Sequence, residues 1–311
     1  MTWAMQLTAP ARAMLLGSVS ERSAFVSTQA YIPTTEGVAA LQWLSYLRRH
    51  AYGVDRPRNQ HVVAPPGTGK SRLLSHYASQ FEPVRDQFGV LKREVALAEA
   101  PEDGDLRHMR SRIATACMPG LNENGSYSTE DVIELLLAAS VRQLLLDEMG
   151  NILNGSRLSQ QKILALIKGV TNRGITVGIA TTDRLRLVLA ADEQLKDRFH
   201  MTTLRHWQES EGLRSFLDAV ELQLPLPNPS KLSSPAIVRC FLRRERNSTS
   251  GILDPIRDAC RIAFQEDLPN LTLDLIEDAI ESPFPPGGGL VEGRSRHVDA
   301  IKAARRSPSP A

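Results

Sequence analysis

Residues 60–71, QHVVAPPGTGKS, leave a chain few ways to fold. His61, Val62 and Val63 read as the end of a short buried strand. Ala64 to Ser71 then fills the pattern GxxxxGK(S/T), with Ala64 in the first place, and Leu73, Leu74 and Tyr77 follow at helical spacing. Gly67 and Gly69 let the backbone turn tightly, so that successive N–H groups converge on one concavity. The positive end of the following helix points into the same space. In such a loop Lys70 reaches the β- and γ-phosphates of a nucleoside triphosphate, and the Ser71 hydroxyl ligates Mg²⁺. Pro66, Gly67, Thr68, Gly69, Lys70, Ser71 and Arg72 are therefore the expected nucleotide-binding residues. A turn that merely happens to carry a lysine is the plainer reading, and the flanking strand and helix argue against it.

Residues 141–148, VRQLLLDE, supply the second half of the chemistry. Leu144, Leu145 and Leu146 form an unbroken apolar run, as a parallel strand buried on both faces does. Asp147 and Glu148 close it at the carboxyl end, where open α/β sheets hold their ligands. Two acids after an apolar run often just cap a strand. These follow the phosphate loop by about 75 residues, across a strand and a helix, and so read as its acidic partner. Asp147 is expected in the Mg²⁺ shell, and Glu148 as the residue that orients and polarises an attacking water. Residues 174–182, GITVGIATT, predict a further buried strand ending in two hydroxyls. Thr182, with Thr181 close behind, is the expected second hold on that water. Residues 184–199 read as a helix with Leu185, Leu187, Val188, Leu189 and Leu195 on its apolar positions. Arg198 at its end either pairs with Asp197 on the surface or reaches a neighbouring subunit's γ-phosphate.

Composition sets the outer limits. A chain of 311 residues with 42% hydrophobic and 23% charged residues has material for one large α/β domain and a smaller one. A net charge of +2 argues for nucleic acid only through local patches. Cys117, Cys240 and Cys260 are widely spaced and read as reduced thiols of a cytoplasmic protein. No apolar run approaches the ~20 residues that a membrane span needs, so no membrane role is expected.

In chain order, residues 1–30 read as a flexible N-terminal arm, 31–224 as the ATPase core, 225–281 as a helical lid and 282–311 as a disordered tail rich in Pro, Gly, Ser and Arg. Thr34 or Thr35 caps a helix ahead of the first strand, and Tyr31 and Ile32 are either base contacts or ordinary core. Arg48, Arg49, Arg56 and Arg58 form a basic connector, by default a solvated loop. Residues 94–98 predict a strand, and residues 102–113 a helix with Arg107, His108, Arg110 and Arg112. Thr129 is the expected cap of the next helix.

APPGTGKS, LLLDE and QLKDRF, in this order, resemble the AAA+ ATPases, and within them the chain is similar to the TniB/TnsC group of transposition ATPases. Tyr31-Ile32-Pro33, the run DEMGNILNG at 147–155, TTDRL at 181–185, residues 194–199 and LQLPLPNP at 222–229 carry the narrower likeness, over roughly residues 30–280. The resemblance implies a parallel sheet flanked by helices, then a small C-terminal helical lid. It implies an Mg²⁺-dependent ATPase that assembles as a ring or filament of identical subunits on double-stranded DNA and hands the site to a transposase. Carried over by position, Lys70, Ser71, Asp147, Glu148 and Thr182 form the ATP site and Arg198 the finger acting in trans. The resemblance also puts DNA contacts between the second strand and the acidic strand, on Arg107, Arg110 and Arg112; a solvated helix face explains the same residues. Gly150 stands where relatives often have His, and where many AAA+ lids carry a γ-phosphate-sensing Arg this chain has Asp254, with Arg257 as the nearby substitute. The rival reading is an AAA+ or STAND-type switch acting through protein partners only. A nucleotide sensor without turnover is a third.

Overall fold

Five short runs pair into one parallel sheet in the computed structural model, which describes residues 2–28, 30–185, 189 and 193–281. The strands are Asn59–Val63 (β1), an outlying hairpin of Val84–Arg85 (β2) and Leu91–Lys92 (β3), then Val95–Glu99 (β4), Gln143–Asp147 (β5), Thr176–Thr181 (β6) and Phe199–Thr203 (β7). The order in the main sheet is β4-β5-β6-β1-β7, and all its pairs are parallel. Every residue of β1, β5 and β6 is buried, and apart from Asp147 at the end of β5 these strands carry no Asp, Glu, Lys or Arg. Phe199–Thr203 was not expected as a strand. It lies at the sheet's edge with His200 and Met201 exposed, which removes the alternation or apolar run that marks a strand in sequence. The predicted helix over 184–199 accordingly stops earlier, with a last turn at Glu193–Lys196; Leu187 and Val188 lie outside the described residues.

The helices begin with Ala9–Ala13 (α1), Val19–Ser27 (α2), Thr35–His50 (α3) and Lys70–Ala78 (α4), followed by Leu106–Cys117 (α5), Thr129–Ala138 (α6) and Arg157–Asn172 (α7). Their starts follow local chemistry. Thr34 accepts from the Gly37 N–H at 2.9 Å and opens α3. Asp105 opens α5 by accepting from the Arg107 and His108 N–H groups, which starts it later than the expected residue 102. Helix α6 is capped by Ser128 in a reciprocal pair with Asp131, one residue ahead of the expected Thr129. The three cysteines are free and buried, and burial pushes the Cys117 thiol up to about 12.

The described residues form two units, 33–205 around the sheet and a helical unit made of residues up to 32 together with 206–281. The sheet unit's core joins Leu144, Leu146, Val177 and Ile179 to Ile113, Leu136, Ile163 and Ile167 from the covering helices. The helical unit corrects the reading of residues 1–30 as a flexible arm. Helix α2 packs on the helix Thr249–Gln265, its Val26 fully buried in that unit's core, and Arg22 lies 4.7 Å from the Phe264 ring centroid. The partner is more than two hundred residues away in sequence, so no local period betrays the packing. The boundary falls after Arg205 and not at 224, because the helix Glu211–Glu221 buries Leu213, Phe216, Leu217 and Val220 in the helical core. The tail from 282 lies outside the described residues.

Glu221 holds the helical unit's connection together. It is 6% exposed, and its carboxylate accepts from the backbone N–H groups of Ser230, Lys231 and Leu232 at 2.7, 2.9 and 2.8 Å. Glu221→Ala strands those donors and is expected to cost about 3–5 kcal/mol, read as a lower urea midpoint with unchanged slope. Glu221→Gln, which keeps acceptor capacity for only part of the set, should cost less than Glu221→Ala; equal midpoints for Ala and wild type would refute the role.

Candidate functional site

The carboxyl ends of β1, β5 and β6 come together at one end of the sheet. Val63 is level with Thr181 and Leu146 with Ile179, so Asp147 and the start of the phosphate loop flank the end of β6. With strands about 4.8 Å apart, they stand about 10 Å from each other. The Ala64 N–H donates to the Thr181 carbonyl at 2.9 Å and continues the ladder into the loop.

The loop has the backbone its glycines were expected to give. Gly67 has φ +74° and Gly69 φ +92°, both left-handed. The Thr68 hydroxyl donates to the Pro65 carbonyl at 2.7 Å and closes the turn. Gly69 is also the cap of α4 and offers no side chain to its first N–H groups, so the backbone donors at Lys70 and Ser71 are left for a ligand. A Cβ on Gly69 would meet nothing within 4 Å, so left-handed geometry, not crowding, is what requires glycine there. Lys70 is the informative residue. It is 6% exposed, yet among the described residues no ion pair or side-chain hydrogen bond is made to it. Its stem is enclosed while the ammonium keeps solvent contact, which leaves that charge available to an anion in the loop. Ser71, by contrast, is exposed at the first turn.

On the acidic side, Asp147 is 8% exposed and one of its carboxylate oxygens accepts from the Glu148 N–H at 2.8 Å. Glu148 has φ +47° and ψ +34°, a left-handed conformation that costs a non-glycine residue about 1 kcal/mol or more. The strand thereby ends abruptly and Glu148 turns out of its line, half-buried. What fixes this turn is the segment that follows. Asn151 donates to the Ala100 carbonyl at 3.1 Å and Asn154 to the Glu102 carbonyl at 2.8 Å. Gly155 abuts Gly104 so closely that neither has room for a Cβ. The run NILNG thus ties the loop after β5 to the loop after β4, a structural task invisible in its composition.

The two strand-end hydroxyls part company. Thr181 is buried, with its Oγ1 2.6 Å from His61 Nε2. Thr182 is half-exposed and lies beside Gly150: a Cβ built on that glycine would stand 3.7 Å from the Thr182 hydroxyl. The structure therefore places Thr182 beside Gly150, two residues after Glu148, and leaves room for a larger residue at 150. Arg198 is elsewhere. Its carbonyl accepts from Asn59 at the start of β1, the opposite end of that strand from the phosphate loop, and its guanidinium donates to Asn172 at 3.2 Å and Thr171 at 3.4 Å. It does not pair with Asp197 among the described residues, and it lies at the far end of β1 from the phosphate loop of its own chain.

The arginines of α5 do not form a bare basic face. Arg107 donates to the Asn124 carbonyl at 3.0 Å. Arg112 lines a cleft of about 440 Å³ together with Glu99, Glu102, Asp103 and Glu123. Arg110 is half-buried. In the helical unit Arg257 is held by Asp254 at 3.0 Å, and Ile32 packs on the helical core. Burial pushes the Tyr31 hydroxyl up to about 12. Among the described residues no helix is long and apolar enough to cross a membrane.

Comparison with known proteins gives the same direction. The family described as TniB, bacterial TniB protein, matches residues 22–209. No curated protein sequence matches. Among solved structures, the Aeropyrum pernix ORC1 protein in complex with DNA is similar with a TM-score of 0.59 at 19% identity, over 83% of this chain and 68% of that one. The Aeropyrum pernix ORC2 protein in its ADPNP–ADP complexes has a TM-score of 0.58 at 14% identity, over 83% and 71%. Domain III of the Thermotoga maritima replication initiation protein DnaA has a TM-score of 0.52 at 12% identity, over 90% and 99%. At these identities the likeness is one of fold.

Proposed function

Because this chain belongs to the bacterial TniB family and has the AAA+ fold, we propose that it is an ATP-hydrolysing regulator of transposition that assembles on double-stranded DNA and engages a transposase. The observation that carries the nucleotide part is the buried Lys70 without a protein counter-charge, beside an uncapped helix start. Gly67 to Arg72 wrap the phosphates through backbone N–H groups, Pro66 shapes the turn ahead of them without donating, and Lys70 neutralises charge on the terminal phosphates. Ser71 and Asp147 are the residues that would hold Mg²⁺; one is an exposed hydroxyl, the other a mostly buried carboxylate, a donor set of oxygens that suits this hard cation. When bound, Mg²⁺ supplies charge neutralisation on the β- and γ-phosphates. Glu148, turned out of the strand, accepts a hydrogen bond from the attacking water and draws off its proton, while Thr182 fixes that water from the other side. Arg198 acts on a neighbouring copy's γ-phosphate, since its own loop is out of reach.

The trans role predicts complementation. Lys70→Met and Arg198→Ala should each be nearly inactive alone, yet mixing them should restore a measurable fraction of turnover, because some interfaces then pair an intact loop with an intact finger. No recovery on mixing would place Arg198 outside the reaction. For the DNA part, cosedimentation with duplex DNA should require ATP or a non-hydrolysable analogue. Nucleotide-independent binding, or none, would favour the switch that acts through protein partners only.

A further inference from the structure

Glu148 leaves β5 in the left-handed region, with φ +47° and ψ +34°, and among the described residues no hydrogen bond or ion pair is made to its carboxylate. The backbone therefore aims that group. A left-handed glutamate is strained, so something must hold the turn, or the residue relaxes and its carboxylate swings away. The peptide groups around Glu148 show what holds it. Its own N–H donates to Asp147 Oδ1 at 2.8 Å, and its carbonyl accepts from the Asn151 N–H at 2.9 Å. The Asp147 carbonyl, just before it, accepts from the Ala100 N–H at 2.9 Å.

Asn151 closes this set. In a regular parallel ladder, a residue that donates to one carbonyl across the pair accepts from the N–H two residues further along that strand. With the Ala100 N–H on the Asp147 carbonyl, the Ala100 carbonyl would next accept from residue 149. The chain turns out of the ladder at Glu148, and the Asn151 side chain takes the place instead, its Nδ2 donating to the Ala100 carbonyl at 3.1 Å. One residue thus grips Glu148 from both sides, through its N–H on the Glu148 carbonyl and through its amide on the residue that anchors Asp147. Ala100 is 1% exposed, so a carbonyl that loses the amide there has little water to replace it.

We propose that Asn151 is a positioning residue for hydrolysis, holding Glu148 in the conformation that meets the attacking water. The inference rests on the ATPase reading above. An amide suits the place because it donates without carrying charge; a lysine would pair with Asp147 or Glu148 and pull on the groups it has to aim. Met149 and Ile152, on either side, are fully buried in the sheet unit's core, so the segment keeps its seat when the Asn151 amide alone is removed. None of these bonds reaches the phosphate loop. The signature is therefore a loss in kcat with nucleotide affinity kept.

The test uses the full chain and compares wild type with Asn151→Ala and with Asn151→Leu, which keeps the bulk of the side chain and lacks its donor. Both variants should lower kcat for ATP about ten- to a hundredfold, the loss that a misplacement of about 1 Å brings, while a fluorescent ATP analogue binds within about threefold of wild type. Added to Glu148→Gln, Asn151→Ala should lower the residual rate no further, because the group that it positions is already disabled. Wild-type kcat in both single variants would overturn the positioning role and leave the ATPase reading standing. Analogue binding that weakens in step with kcat, or the same fractional loss in the Glu148→Gln background, would overturn it too, since a general structural role predicts either. Wild-type protein that binds the analogue and hydrolyses no ATP would overturn the ATPase reading and this inference with it.

Discussion

Lys70→Met is expected to abolish measurable nucleotide binding while leaving the ligand-free protein about as stable as wild type. In the ligand-free fold residue 70 is 6% exposed overall, with its stem enclosed and its ammonium in solvent contact and without a counter-charge among the described residues, so an apolar side chain of similar length keeps the packing. The ligand-free Tm should therefore stay within roughly 2–4 °C of wild type, about 1 kcal/mol for a unit of this size. With nucleotide present the same ammonium is half of a buried charge pair, and losing one half of such a pair costs about 2–5 kcal/mol, roughly thirtyfold to several thousandfold in affinity. Thermal denaturation with and without a non-hydrolysable analogue separates them. Wild type at a hundredfold excess over Kd gains about 2.7 kcal/mol from the ligand; the variant should gain almost none. A ligand-induced shift of wild-type size in Lys70→Met would remove the loop from the site.

Glu148→Gln should leave nucleotide affinity within about threefold and reduce turnover by about 10²–10⁴, because the amide keeps the side chain's shape but cannot take a proton. The left-handed backbone at this position supplies an independent reading. Glu148→Gly accepts φ +47° without steric cost, so it should be about as inactive yet about 1 kcal/mol more stable. Together the two variants separate the carboxylate's chemistry from the strain that aims it. Turnover near the wild-type rate in Glu148→Gln would mean that another group activates water, and a loss of stability in Glu148→Gly would mean that the turn is held by what its side chain touches.

Much of the nucleotide site is legible in sequence because its parts are local. A glycine at left-handed φ, a lysine one residue into a helix and two acids after three leucines each follow from their immediate neighbours. Thr182 is partly legible: two adjacent hydroxyls end β6, and only the hydrogen bond between Thr181 and His61 shows which one stays free. The α5 arginines show the converse. They look like a basic helix in one dimension, and the acids around Arg112 come from the end of β4 and from the loop near 123, which meet only when the chain folds. Helix α2 is illegible for the same reason, since it buries little more than Phe25 and Val26 and its partner lies at the other end of the chain.

By itself the sequence determined the class of sheet, the loop that grips phosphate and the carboxylates set against it, since each depends on spacing within a few residues and on the period of the buried strands. The tertiary structure alone decided where the second unit begins, which of the two strand-end threonines is buried, and at which end of the sheet Arg198 lies. Those outcomes depend on strand order, and strand order is set by which apolar faces cover one another across long stretches of chain, a property that no short window of residues contains.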